Sequence, residues 1–178
     1  SPLLSRLALP TLSGILLALS FPGPPLPGFS LLYQAFWAYL ALLPLLLSLR
    51  AGDWRWSWRQ GWISGGVFNL LGLYWVAYTQ GGGPAVVAGT LLMAIYLGLF
   101  TALWAASLSL LMGRWGRRAY IAAPLLWATQ EYLLSLGQLG FPWLLLGHGQ
   151  AGQVHFIQYA AWTGVYGVSF WVVLINML

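Results

Sequence analysis

The stretch AVVAGTLLMAIYLGLFTALWAASLSLLM, residues 85–112, contains no charged side chain. A helix that crosses a bilayer needs about 20 consecutive, mostly apolar residues, and this run exceeds that length. It is apolar on every face, which suits lipid or a buried core rather than a water-facing surface. Outward from it, the whole chain has the same character. Of 178 residues, 60% are hydrophobic and only 5% charged, against roughly 25% charged in soluble domains. Two acids and seven arginines cannot cover a water-exposed surface, so lipid is the expected solvent.

The other segments follow from the same rule. Spans are expected at about 3–20, 31–49, 62–78, 85–112, 119–136 and 159–178, giving an all-α membrane protein of about six transmembrane helices in one domain. FPGPPLPG (21–28) has four prolines and makes a stiff reversal after the first span. Arg6 is expected to snorkel to the headgroups, and Pro44 to kink the second span. RAGDWRWSWRQ (50–60) alternates arginine with tryptophan and suits the headgroup layer, with a specific anionic-lipid site as the sharper reading. In the third span, Gly61 and Gly65 have the spacing that lets helix backbones approach closely, and Asn69 needs an internal partner.

Charge sets the expected topology. Arginines lie near the start, between spans two and three, and between spans four and five. The loops after spans one, three and five, the last bearing GFPW (140–143), carry no charge. Under the positive-inside rule the amino terminus is cytoplasmic and the uncharged loops, TQGGGP (79–84) among them, lie outside. No internal repeat is present, which argues against an inverted-repeat transporter. The basic pI of about 9.9 reflects these topology signals and not nucleic-acid binding. The chain begins at Ser1 without a methionine and stops at Leu178 inside an apolar run, so a fragment cut at both ends is expected.

The composition also limits the chemistry. There is no cysteine, and all seven basic residues are arginine. Disulfides, thiolate sites and lysine bases are therefore unavailable within these residues. Polar groups gather in EYLLSLGQLGFPWLLLGHGQ, residues 131–150. Glu131 is the only glutamate, and an acid near a span is a functional site by default. A hydrogen-bonded structural Glu131 stands beside that reading. Phe141 is extended by the proline after it. Phe141, Pro142 and Trp143 then form either a lipid-entry rim or a plain interfacial loop. His148 and His155 match no metal spacing, so no metal or cofactor is expected, and Ser135, Thr163 and Ser169 show no acid–histidine arrangement. The candidates for substrate or lipid contact are Glu131, Phe141, Pro142, Trp143, His148 and Gln150, with no catalytic residue. Loop 137–158 fits a re-entrant arm or an interfacial helix. The segment from Gly164 to Phe170, with Asn176 beyond it, reads as a small-residue packing face.

These pieces together resemble the amino-terminal membrane region of the bacterial apolipoprotein N-acyltransferases. The matching residues are Phe21, Pro22, Pro24 and Pro25; Gly72 with Tyr74 and Trp75; Trp127 with Glu131 and Tyr132; and Gly140 through Trp143. Gly147 through Gln150, Ile157 with Gln158, and Gly164 through Phe170 with Asn176 complete them. Tyr132 stands where the family usually has tryptophan, and Leu134 where it has arginine. Gly147-His148-Gly149-Gln150 replaces Gly-Tyr-Ser-Gln.

The resemblance implies a multi-pass protein of the bacterial inner membrane that acts in lipoprotein maturation. A phospholipid, typically phosphatidylethanolamine, gives an acyl chain to an enzyme cysteine. The chain then passes to the amino group of a lipoprotein's diacylglyceryl-cysteine. The resemblance also implies a Glu-Lys-Cys triad in a nitrilase-like domain after a seventh span. With neither Lys nor Cys, these residues lack that triad and are expected to be inactive alone. A non-catalytic lipid-binding scaffold or anchor is the other reading.

Overall fold

A computed structural model of the chain describes residues 2–22, 34–79 and 83–178, with side chains described from Leu7 onward. Most of the expected FPGPPLPG reversal, the glycines at 81–82 and the Arg6 side chain lie outside the described residues. Every regular element among the described residues is helical. The α-helices are α1 (Pro2–Leu19), α2 (Leu43–Ser48), α3 (Trp54–Gly72), α4 (Gly83–Trp115), α5 (Ala123–Leu134) and α6 (Ala160–Met177). Five 3-10 segments connect them: Ala35–Tyr39, Tyr74–Tyr78, Gly116–Ala122, Pro142–Leu144 and Leu146–Gln150.

Two stretches of described helix are long and apolar enough to cross a membrane. Within residues 83–134 an 18-residue stretch has a mean hydropathy of 2.1, and residues 160–177 have one of 1.4. Leu7–Leu19 and Ala35–Ser48 are apolar but shorter. α4 alone is roughly 50 Å long at 1.5 Å per residue, ample for a hydrocarbon layer of about 30 Å. It ends where Gly116 adopts φ 58°, a conformation that glycine alone enters freely. Leu92, Leu125, Ile121 and Trp162 stand exposed on the outside of the bundle, giving it a surface suited to lipid.

α3 and α4 form the main packed pair, and α1 lies on the other side of α3. The glycine spacing on α3 is what brings the first pair together. A Cβ at Gly61 would lie 2.6 Å from the Thr101 carbonyl oxygen, and one at Gly65 would lie 2.7 Å from the Thr101 side chain. α1 makes the same kind of approach, since a Cβ at Gly14 would meet the Ser64 carbonyl at 2.5 Å. The core runs through Leu17, Leu42, Leu45, Phe68, Trp104, Leu108, Trp127, Val172 and Val173.

Local signals move several element boundaries from those expected. The arginine-tryptophan segment begins α3, because Asp53 caps it by accepting from the Trp56 amide at 3.0 Å. The Arg50 guanidinium lies 4.0 Å from the Trp56 ring centre, and the Trp56 indole donates to the Ser48 carbonyl at 2.9 Å.

The second segment is broken and not merely kinked, with Pro44 in the first turn of the six-residue α2. Asn176 of α6 fills the break. It accepts from the Leu42 amide at 3.0 Å and donates to the Ala38 carbonyl at 2.8 Å. One side chain thus satisfies a freed donor and a freed acceptor, as buried backbone requires. Beyond α4, the expected fifth segment is a 3-10 stretch followed by only 12 residues of α-helix, with Pro124 in its first turn. Gly164, at φ 66° and ψ −171°, interrupts α6 near its start.

Candidate functional site

The site is built on α5. Trp127 and Glu131 lie four residues apart and so share one helical face. The Trp127 indole N–H donates to Oε1 of Glu131 at 2.9 Å. Trp127 is held in turn by Trp104 of α4, edge to face, with ring centres 5.1 Å apart and planes at 78°. The Trp104 indole donates to the Ala123 carbonyl at 3.0 Å, so both indoles are polar-satisfied within the apolar core.

From Glu131 the network leaves the helix. The Leu146 amide donates to the same Oε1 at 2.7 Å. Next along the loop, the Gly147 amide donates to the Ser169 hydroxyl of α6 at 2.8 Å. Glu131 and Ser169 therefore clamp two successive amides of the loop between α5 and α6. The glycines of Gly147-His148-Gly149 permit this seat. A Cβ at Gly147 would lie 2.5 Å from the Val165 carbonyl, and one at Gly149 would lie 2.9 Å from that of Ser20.

No α-helix forms in the loop between α5 and α6. Gly137, at φ 75°, turns the chain back after α5, and the Phe141 amide returns to the Leu134 carbonyl at 3.1 Å. Pro142 then opens the first of two short 3-10 turns. Leu144 rests on α3 where Gly72 leaves room, since a Cβ there would come within 2.6 Å of the leucine side chain. Trp143 is exposed and pairs with Trp75 at 5.7 Å and with Phe141 at 6.2 Å. The aromatic pair at the end of the third segment and the GFPW motif thus form one cluster.

The six candidates do not share a single pocket. Glu131 and Phe141 line a cavity of about 30 Å³ with Asn69, Thr101 and Gln130, room for about one water-sized group. Oε1 of Gln130 and Oε2 of Glu131 are buried without hydrogen-bond partners, although the Ser169 side chain lies beside the Glu131 carboxyl group. Trp143 and the exposed His148 face outward, with His148 Nδ1 3.3 Å from the Trp143 carbonyl oxygen. Gln150 points elsewhere, donating to the Ala35 carbonyl at 2.9 Å. Pro142 shapes the turn. Trp127, Gln130 and Ser169 were missed as site residues; the four-residue spacing to Glu131 was the available signal for Trp127. Ser169, 38 residues beyond Glu131, carried no local signal.

Comparison with known proteins bears on the whole chain. A family model described as the apolipoprotein N-acyltransferase N-terminal domain matches residues 13–178. An apolipoprotein N-acyltransferase of Chlorobaculum tepidum is 36% identical over 175 residues, covering 96% of this chain and 30% of that protein. One from Geobacter metallireducens is 38% identical over 174 residues, covering 94% of this chain and 31% of that protein. The chain therefore spans about three-tenths of the length of these relatives. Matched by the domain model over nearly its whole length, the chain belongs to the apolipoprotein N-acyltransferase family, in the N-terminal domain.

Proposed function

We propose that this chain is the membrane module of an apolipoprotein N-acyltransferase. In this reading it spans the bacterial inner membrane with about six segments and a cytoplasmic amino terminus. It presents lipid to a reactive centre carried by the rest of the protein. The absence of Cys and Lys means that these 178 residues supply neither a thiolate nor a lysine. The acyl acceptor cysteine would lie in the remaining length seen in the relatives. An acyl chain from a phospholipid would pass to that cysteine, and then to the amine of a diacylglyceryl-cysteine. The chain alone would be inactive.

The observation that carries this reading is the Glu131–Leu146 hydrogen bond. It fixes an aromatic rim, half-buried Phe141 with exposed Trp143 and Trp75, to a buried helical core. Glu131 then acts as a positioning residue, and no group here attacks the substrate. Phe141, Pro142 and Trp143 form the rim past which acyl chains leave the bilayer. His148 flanks it.

The test is complementation by the full-length protein in cells depleted of their own acyltransferase. The wild type restores N-acylation of lipoproteins, read by mass spectrometry of their amino-terminal peptides. Glu131→Ala inserts in the membrane but loses most of that activity. Unchanged acylation in this variant would remove Glu131 from the working site. No acylation by the wild type would favour a non-catalytic lipid-binding scaffold.

A further inference from the structure

The small cavity beside Glu131 gathers polar groups that the clamp on Leu146 does not use. Its volume is about 30 Å³, and its walls include Asn69 of α3, Thr101 of α4 and Gln130 of α5. Phe68, Leu97 and Trp127 form part of the remainder. All six residues are buried. A polar group here has lost bulk water, and leaving it unpaired is costly.

Helix packing brings the three polar side chains together. Asn69 lies one turn beyond Gly65 on α3, and its Nδ2 donates to the Gly65 carbonyl at 2.8 Å. Thr101 packs on the same glycine, since a Cβ at Gly65 would lie 2.7 Å from Thr101 Oγ1. α4 and α5 are antiparallel neighbours joined by the seven-residue turn Gly116–Ala122, and Trp104 meets Trp127 across them. Thr101 is three residues back from Trp104, and Gln130 is three residues on from Trp127. In an antiparallel pair those steps run the same way, so Thr101 and Gln130 reach the same level.

Each of the three residues carries one polar atom without a hydrogen-bond partner among the described residues: Asn69 Oδ1, Thr101 Oγ1 and Gln130 Nε2. Oε1 of Gln130 and Oε2 of Glu131 are sealed from water contact, whereas these three atoms keep accessible surface. The cavity has room for about one water. Water matches the set, because its two hydrogens serve Asn69 Oδ1 and the Thr101 oxygen while its lone pair accepts from the Gln130 amide. An apolar molecule would leave all three unpaired.

We propose that this cavity is a hydration site. One water molecule bonds Asn69, Thr101 and Gln130, and so cross-links α3, α4 and α5 at the turn that carries Glu131. It supplies the internal partner that a buried Asn69 requires. The inference does not depend on acyl transfer.

The test is X-ray radiolytic footprinting of the full-length protein in detergent, in which radicals formed from a held water oxidise the side chains around it. Trp127 and Trp104 give an internal comparison. They touch each other and are 3% and 1% exposed, but of the two only Trp127 lines the cavity. Trp127 should be oxidised several-fold faster than Trp104. After rapid mixing with heavy-oxygen water, its product should take up the isotope more slowly than that of exposed Trp115. Asn69→Leu fills the cavity and should bring Trp127 down to the Trp104 rate. Thr101→Val keeps the shape, removes one partner and should also lower the rate.

Equal oxidation of the two indoles in the wild type would overturn the proposal. So would isotope uptake at Trp127 as fast as at Trp115, which marks bulk water passing through. Where Asn69→Leu fails to fold, undiminished oxidation in Thr101→Val has the same force. Protection of Trp127 by sodium, relative to N-methylglucamine, would put a cation in the site and also overturn it.

Discussion

The Trp127 indole and the Leu146 amide meet on one oxygen, Oε1 of Glu131, at 2.9 and 2.7 Å. A helix and a loop are thereby joined through a single acceptor. The joint predicts how substitutions at Glu131 should differ. Glutamine keeps a carbonyl oxygen for both donors; alanine leaves two buried N–H groups unpaired. Each unpaired group costs about 1–3 kcal/mol. Glu131→Gln should therefore unfold near the wild-type temperature and keep most acyl transfer, while Glu131→Ala loses both. Thermal unfolding in detergent and lipoprotein acylation, measured on the same preparations, check this. Equal loss in the two variants would assign the carboxyl group a role beyond accepting these bonds.

Asn176 is the second joint. It bonds Leu42, Ala38 and its own helix at Val172. Asn176→Leu preserves shape but leaves the break before α2 without its partners. The expected cost is about 2 kcal/mol, because hydrogen bonds between membrane helices are individually modest. Denaturant unfolding should show it, and the Ala35–Tyr39 turn should become more accessible to protease.

The glycines of α3 make a matched pair. A Cβ at Gly61 would press on the Thr101 carbonyl and on Ala102 and Ala105, whereas one at Gly66 meets nothing within 4 Å. Gly61→Ala should destabilise by about 1–3 kcal/mol through overpacking. Gly66→Ala should be neutral, or stabilising by up to about 1 kcal/mol, because alanine favours the helix. Thermal unfolding midpoints of the two variants decide it.

Sidedness can be read at Gly152, which is exposed and has open space where a side chain would go. Gly149 is unsuitable, since a Cβ there would meet the Ser20 carbonyl at 2.9 Å. Gly152→Cys should react with an impermeant maleimide applied to spheroplasts, measured against the unsubstituted parent. Arg117→Cys should react only after permeabilisation. The reverse pattern would invert the proposed topology.

Much of the site was visible in the residues themselves. Glu131 stands out because an acid within an apolar segment must find donors. GFPW stood out because proline and glycine break helices wherever they fall. The role of Gly61 and Gly65 was also legible, since helix periodicity puts small residues four apart on one side. What those features touch was less legible. The four-residue spacing points to the Trp127 indole, but nothing local to Glu131 names an amide 15 residues ahead as its other donor. Nor does anything local to Gly72 name Leu144 as the side chain it admits.

The sequence alone determined an all-helical, apolar chain and its family. The first depends on residue type and spacing, which hydropathy and helix periodicity read directly; the second rests on the resemblance of its motifs to a known family. Tertiary structure decided that the second segment breaks around Asn176, that α3 begins at an Asp53 cap, and that the six candidate residues part among three surroundings. The reason is that buried polar groups take their partners wherever the packed helices bring them. Gln150 shows it most plainly: its amide donates to the Ala35 carbonyl, 115 positions away.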